Sequence, residues 1–304
     1  MKHLFIINPT AGGKKHNPEE TKQRIEAVAE SLSLPYEIYF TKGTMDACRK
    51  VAEEAERTDE LRVYACGGDG TLSECANGAA GRSNTAITHF PCGTGNDFIK
   101  TFGNENISKF KDLRALISGK ARPMDLIDCD ENRFGINICS VGIDARVGRD
   151  VHKFSKLPII GGATGYVIAL ITNVIAGVAQ KFHIRGGGID QNKDITLMCA
   201  CNGKFYGGGF NPVPDAIPDD GIIEFLVIEP VSRLKVASVV GKYAKGKFRE
   251  IEELVTHIRS DYMEMEGERE FVVNVDGEIL YRKKLHFKIF PKGVNFILPQ
   301  GVDY

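Results

Sequence analysis

A short apolar run, Leu61-Arg62-Val63-Tyr64-Ala65-Cys66, stops at three glycines and one carboxylate, and Leu72 to Ala80 then resumes with helical character. Few stretches constrain a chain as much as this one. Glycine takes positive φ readily and lets another group approach the backbone with no Cβ in the way. Gly67-Gly68-Asp69-Gly70-Thr71 therefore reads as a strand-turn-helix junction, where free backbone N–H groups can face phosphate. A lone carboxylate there repels phosphate unless a metal or a proton transfer employs it. Taken alone, the stretch reads equally as a tight βα turn steadied by Asp69.

The same arrangement occurs twice more. Residues 2–7 look like a buried strand, ended by Asn8-Pro9-Thr10-Ala11-Gly12-Gly13. This turn lacks the Gly-Lys-Ser/Thr of a P-loop, yet it offers backbone N–H groups and the Thr10 hydroxyl. Residues 86–90 form another predicted strand, followed by Pro91-Cys92-Gly93-Thr94-Gly95-Asn96-Asp97. Between these lie a helix over 18–32, a strand over 36–40 and a helix over 45–55. Thr44 is the expected N-cap of that second helix, which leaves Thr41 at the strand end to touch a ligand. Alternating strands and helices predict a mostly parallel sheet with helices on both faces, binding ligands at the carboxyl edge. Three glycine turns along one edge favour a phosphate ligand over three unrelated connections.

After a predicted helix over 107–118 the pattern changes near Arg122-Pro123-Met124-Asp125. Strand-like runs follow at 124–129, 133–139, 195–201, 222–228, 254–258, 262–266, 270–275, 285–290 and 294–298. Helical interruptions fall near 143–156, 163–179 and 231–245. Many strands with few helices predict a β-sandwich-like second domain. We expect an α/β nucleotide-binding domain over 1–122 and a β-rich domain over 123–304, whose last residues return to the first.

A net charge of -1 excludes nucleic-acid binding driven by overall charge. The eight cysteines contain no C-x-x-C and the seven histidines no metal-ligand spacing, which points to reduced thiols and a cytoplasmic protein. The N-terminal apolar run is too short for a signal peptide. Leu157 to Gln180 carries no charge, but prolines and glycines interrupt it. Its continuous helical part, 165–176, would span about 18 Å, short of a bilayer core, so a buried or interfacial helix is expected. Lys242, Lys245, Lys247 and Arg249, interleaved with Tyr243 and Phe248, read either as a solvated helix face or as a patch for anionic headgroups.

Asn8 to Gly13, Gly67 to Thr71, Pro91 to Asp97, Ile217-Pro218-Asp219-Asp220-Gly221 and Val275-Asp276-Gly277-Glu278 occur in this order. The combination resembles the bacterial soluble lipid kinases of the diacylglycerol kinase catalytic-domain family, over essentially the full length. The resemblance implies ATP-dependent phosphorylation of a lipid hydroxyl, most simply diacylglycerol, in a cleft between the two domains. By motif it assigns ATP contacts to Asn8, Thr10, Ala11, Gly12, Gly13, Thr41, Gly67, Gly68, Asp69, Gly70, Thr71, Leu72, Ser73 and Thr94. Asp69, Asp97 and Asp125 match acids that hold Mg2+ through water, and a structural Mg2+ falls on Asp220 with the carbonyls of Ile217 and Ile222, with Asp219 and Asp215 as runners-up to Asp220. Asp276 and Glu278 become the catalytic pair, with Glu278 the first choice of base and Asp276 the second. By themselves, Asp276-Gly277 is a hairpin turn signal and Asp219-Asp220-Gly221 an Asx turn.

The resemblance further implies a lipid substrate met at a membrane surface by peripheral contact, and an exposed strand edge would allow a homodimer. Gly95 stands where many relatives have alanine, an exchange expected not to disturb the turn. Two other readings stay open: a soluble-substrate kinase of the NAD kinase type, and a non-catalytic lipid- or nucleotide-binding regulator.

Overall fold

A computed structural model describes residues 1–13, 16–154, 172–173, 177, 179–232 and 235–304. They divide into two compact units: Met1–Leu126 with Phe290–Tyr304, and Ile127–Ile289. The helix expected at 165–176 lies largely outside the described residues. No helix among those described is long and apolar enough to cross a membrane.

In the first unit, β1 (Lys2–Ile7), β2 (Tyr36–Phe40), β3 (Leu61–Gly67) and β4 (Thr85–Pro91) pair in parallel in the order β2-β1-β3-β4. Leu4 to Ile7 are buried without alternation, as befits a strand covered by helices on both faces. Connecting them are α1 (Pro18–Ser31), α2 (Asp46–Arg57) and α3 (Asp69–Ala79). Right-handed crossovers place α1 on one face and α2 with α3 on the other. Asn17 starts α1 by accepting from the amides of Glu19 and Glu20, with Pro18 in the first turn.

Two local expectations are corrected here. Thr44 does not cap α2; Met45 does, at φ 61°, and no side-chain capping bond forms there. The carboxylate of Glu74 on α3 instead accepts from Met45 N at 2.8 Å and Ala47 N at 3.0 Å. The helix expected over 107–118 is two pieces, α4 (Ile107–Phe110) and α5 (Leu113–Ile117). The chain restarts where Asp112 accepts from the amides of Arg114 and Ala115.

β5 (Lys120–Asp128) runs unbroken through the place where the sequence pattern changes, so no turn marks the division. β6 (Phe134–Gly135) and β7 (Ile138–Gly142) replace the single strand expected at 133–139, and α6 (Ile143–Phe154) follows. The second unit continues with β8 (Gln180–Gly186), β9 (Ile189–Ile195), β10 (Leu197–Cys201), β11 (Ile223–Ile228), α7 (Val236–Tyr243), β12 (Val255–Ser260), β13 (Tyr262–Val275) and β14 (Glu278–Leu298).

β13 makes this a two-layered unit. Its first half pairs with β8 and its second half with β7, the register shifting between Glu266 and Phe271. One strand thus contributes to both layers, which close on a core that includes Phe182, Phe225, Phe271 and Phe287. Along β10, Met198 and Ala200 face this core, while Leu197, Cys199 and Cys201 face a second one under α6 and α7. That double burial explains the unbroken apolar run. β14 is likewise one strand: it pairs with β13 from Glu278 to Lys288, and Asn295 and Phe296 pair with β4 in the first unit.

Close approach of α2 to α3 depends on Gly78, where an added Cβ would lie 2.5 Å from the Cys48 carbonyl and 2.9 Å from Val51 Cβ. Helix propensity favours alanine there by about 1 kcal/mol, but overpacking costs about 1–3 kcal/mol. Gly78→Ala is expected to lower the urea midpoint; a raised midpoint would show that the helices part without cost.

Candidate active site

The three glycine turns converge at the carboxyl edge of β1, β3 and β4, and backbone approach is what brings them together. The Gly67 carbonyl accepts from Cys92 N at 2.8 Å and Gly93 N at 3.0 Å. His89 Nε2 lies 3.0 Å from the same oxygen, which makes this nitrogen the protonated one. A Cβ on Gly93 would lie 2.4 Å from Gly68 Cα, and one on Gly12 would lie 2.3 Å from the Cys92 carbonyl. No other residue fits at either contact without displacing backbone.

Asn8 ties the first turn to the second. Its Oδ1 accepts from Thr10 N at 3.0 Å and from the Thr10 hydroxyl at 2.9 Å, while its Nδ2 donates to Thr71 Oγ1 at 3.1 Å. Helix α3 starts at Asp69 with Gly68 as its cap, so the helix N-terminus opens between these turns. Thr10, Gly13, Gly70 and Thr94 are exposed, and Ala11, Gly12, Thr41 and Gly68 are half-buried. Thr41 N bonds to the Ile7 carbonyl at 2.9 Å, which fixes it beside the end of β1. Gly67, Thr71, Leu72 and Ser73 are buried, and Leu72 N is already bonded to the Gly68 carbonyl at 3.1 Å.

Asp69 Oδ1 accepts from Asp97 N at 2.6 Å. Burial, above all, pushes the Asp69 carboxyl above the usual carboxylate range; neighbouring His89 pulls it down and Asp97 pushes it further up. Asp97 is buried and takes a 2.5 Å bond from Lys100 Nζ. Asp125 is buried in the same unit and accepts from Lys292 N at 2.7 Å. Gly95 leaves a space between the two turn acids. An added Cβ would lie 2.7 Å from Asp69 Oδ2 and 3.3 Å from Asp97 Oδ2. The expected tolerance of alanine is thus corrected: in this chain the methyl would press on Asp69.

Among the described residues no three His, Cys, Asp or Glu side chains cluster closely enough to chelate a metal. The donor set nonetheless fits magnesium: hard carboxylate oxygens of Asp69 and Asp97 both approach Gly95. The expected structural metal site is an Asx turn, in which Asp220 Oδ1 accepts from Ile222 N at 3.0 Å. Asp220 Oδ2 takes a 3.2 Å bond from Arg259, and Ile217 is exposed.

In the second unit Asp276 and Gly277 form the two-residue turn of the β13–β14 hairpin, at φ 50° and 97°. The Asp276 carboxylate is fully engaged with backbone. Oδ2 accepts from Ile136 N at 2.7 Å, and Oδ1 from Asn137 N and Ile138 N, each at 3.0 Å. The half-buried Glu278 side chain has no partner among the described residues. The two acids of the turn are therefore unlike: one anchors backbone, and the other has its oxygens available. Asn137 Nδ2 and Asn202 Nδ2 extend the anchor, donating to the carbonyls of Phe205 and Ile136 at 2.7 and 2.9 Å.

Sequence reasoning missed His89, Glu74 and Asn137. A histidine just before the Phe90-Pro91 strand end was a usable signal for the first; the other two act only through tertiary contacts. The basic run is also less basic than its composition. Lys242 and Lys247 pair with Glu250, and Arg249 with Asp215.

A family model described as "Diacylglycerol kinase catalytic domain" matches residues 2–129, and one described as "YegS C-terminal NAD kinase beta sandwich-like domain" matches residues 137–298. The chain is 27% identical to a Shewanella frigidimarina protein named "Probable lipid kinase YegS-like", over 97% of this chain and 94% of that one. It is 31% identical to a Stenotrophomonas maltophilia protein of the same name, over 87% of each. A crystal structure of a Bacillus anthracis protein described as a diacylglycerol kinase shares the fold, with a TM-score of 0.73 and 22% identity over 99% of this chain and 98% of that one. The chain belongs to the family of lipid kinases that join a diacylglycerol kinase catalytic domain to a β-sandwich-like domain of the YegS type.

Removing the Asp276 carboxylate strands three backbone amides, each costing about 1–3 kcal/mol if left unsatisfied. Asp276→Ala is expected to destabilise the second unit by about 3 kcal/mol or more, read by urea unfolding. A change below about 0.5 kcal/mol would mean that these bonds are not stabilising.

Proposed function

We propose that the chain transfers the γ-phosphoryl group of ATP to a lipid hydroxyl, with diacylglycerol as acceptor and phosphatidic acid as product. The observation that carries this reading is the inequality of the two turn acids. A regulator that only binds has no use for a carboxylate presented without a partner beside a rigidly anchored one.

In this reading the first unit holds the nucleotide. Backbone N–H groups of the glycine turns and the α3 N-terminus receive phosphate oxygens, and the Thr10, Thr41 and Thr94 hydroxyls lie at the same edge. Asp69, Asp97 and Asp125 would hold magnesium, which would offset the negative charge that spreads over the phosphoryl group in transfer. Asp276 is a positioning residue that fixes the backbone of the turn. Glu278 accepts the proton of the lipid hydroxyl as that oxygen bonds to the γ-phosphorus and the bond to ADP breaks. A general base must reach the proton it removes, and of the two acids only Glu278 keeps its oxygens for that purpose. The acceptor is drawn from a membrane surface by a protein without a strong basic patch at 242–249, so contact depends on the acceptor more than on headgroup charge.

Radiolabelled ATP offered to lipids in mixed micelles, with NAD as a soluble control, tests the proposal. Label in phosphatidic acid is the expected result. Label in another lipid would keep the chemistry and replace the acceptor, whereas transfer to NAD alone would overturn the lipid reading.

A further inference from the structure

On the α1 face of the first unit a cavity of about 310 Å³ opens beside the third glycine turn, room for roughly ten water molecules. Its walls come from the start of α1 (His16, Asn17, Thr21, Arg24), from Phe90 to Gly93, and from Lys111, with Glu20 the single carboxylate. The phosphate-facing edge described above needs none of the α1 side chains or Lys111.

Some bases of this unit, such as Lys2, Arg49, Lys50, Arg82 and Lys100, pair with carboxylates. Among the described residues Arg24 and Lys111 pair with none, although both line the cavity. Arg24 is exposed. Its guanidinium sits 5.4 Å from the centre of the Phe90 ring and donates to the Lys111 carbonyl at 3.3 Å, which uses one of its five N–H groups. His16 presents a buried ring nitrogen, Nε2, that has no partner among the described residues. A guanidinium fork, a nearby ammonium and an unused imidazole nitrogen form a donor set suited to a tetrahedral oxyanion.

We propose that this cavity, on the α1 side of the third glycine turn, is a second phosphate site, which binds a phosphate monoester through Arg24, Lys111 and His16. The inference invokes no catalytic step and stands independently of the proposed function. A monoester dianion makes a bidentate contact with Arg24 while Lys111 offsets the remaining charge. The same headgroup chemistry is offered by soluble metabolites and by phosphatidic acid in a membrane.

Cys92 lines the cavity and provides the readout. It and Cys48 are the two cysteines that are not fully buried, so in a Cys48→Ser background alkylation reports on Cys92. Burial pushes the Cys92 thiol up to about 11, so the reaction is run at alkaline pH, where phosphate is a dianion. The probes are inorganic phosphate, glycerol phosphate, and vesicles of phosphatidylcholine with or without phosphatidic acid, each with the full chain. A shielding ligand at twice its Kd slows alkylation about threefold, by the factor one plus ligand over Kd. That slowing is expected in the Cys48→Ser protein and is lost in Cys48→Ser/Arg24→Gln/Lys111→Gln. Lys111→Gln alone, at an exposed position, gives partial loss and guards against misfolding of the multiple variant. Protection by soluble monoesters assigns a metabolite, and protection only by phosphatidic acid vesicles assigns a headgroup. No protection by any probe overturns the proposal. So does equal protection in the variants, because the anion would then act from the glycine turns.

Discussion

The carbonyl oxygen of Gly67 is the knot of the nucleotide half. Two amides of the third turn and the His89 ring converge on it, and this convergence is possible only because Gly68 and Gly93 bring backbone against backbone. Everything else at that edge follows from the contact. Asp69 and Asp97 are drawn into one buried pair, the N-terminus of α3 stays open, and Asn8 closes the remaining side through Thr71. The arrangement sets two carboxylates, one of them bonded to Lys100, beside a row of backbone donors.

The acid half uses the opposite device. Three amides satisfy one carboxylate completely, so Asp276 behaves as part of the backbone scaffold. It joins the hairpin to residues 136–138, and Asn137 and Asn202 carry that fixation on to the loop after β10. Glu278, at the first position of β14, inherits a fixed place without surrendering its oxygens. The two acids of one hairpin turn thus differ: one is spent on backbone, the other is not.

Much of this architecture is legible in the sequence because burial on both faces leaves an unmistakable mark. Residues 4–7, 63–66 and 197–201 are buried without alternation, and all lie in central strands. The glycine turns are legible for the same reason: no other residue makes those approaches. Other features are invisible locally. The α2 start depends on Glu74, which lies on a different helix, so Thr44 looked like the natural cap. The β8–β9 hairpin hides behind the charges of Lys181, Arg185, Asp190 and Lys193, because its outer face is solvated. Glu266 to Glu270 reads as a break, although β13 continues through it while changing partners. The unequal roles of Asp276 and Glu278 depend on amides about 140 positions away, beyond what any local pattern encodes.

The claim on which the account rests is that Glu278 takes the proton while Asp276 holds the backbone. The most direct measurement is turnover and ATP affinity of Glu278→Gln side by side, on protein with an unchanged urea midpoint. General-base catalysis contributes roughly 10²–10⁴ in rate, so the account predicts a loss of that size in kcat with ATP Kd within about twofold. A kcat close to that of the unmodified chain would contradict it, whatever happened to the affinity.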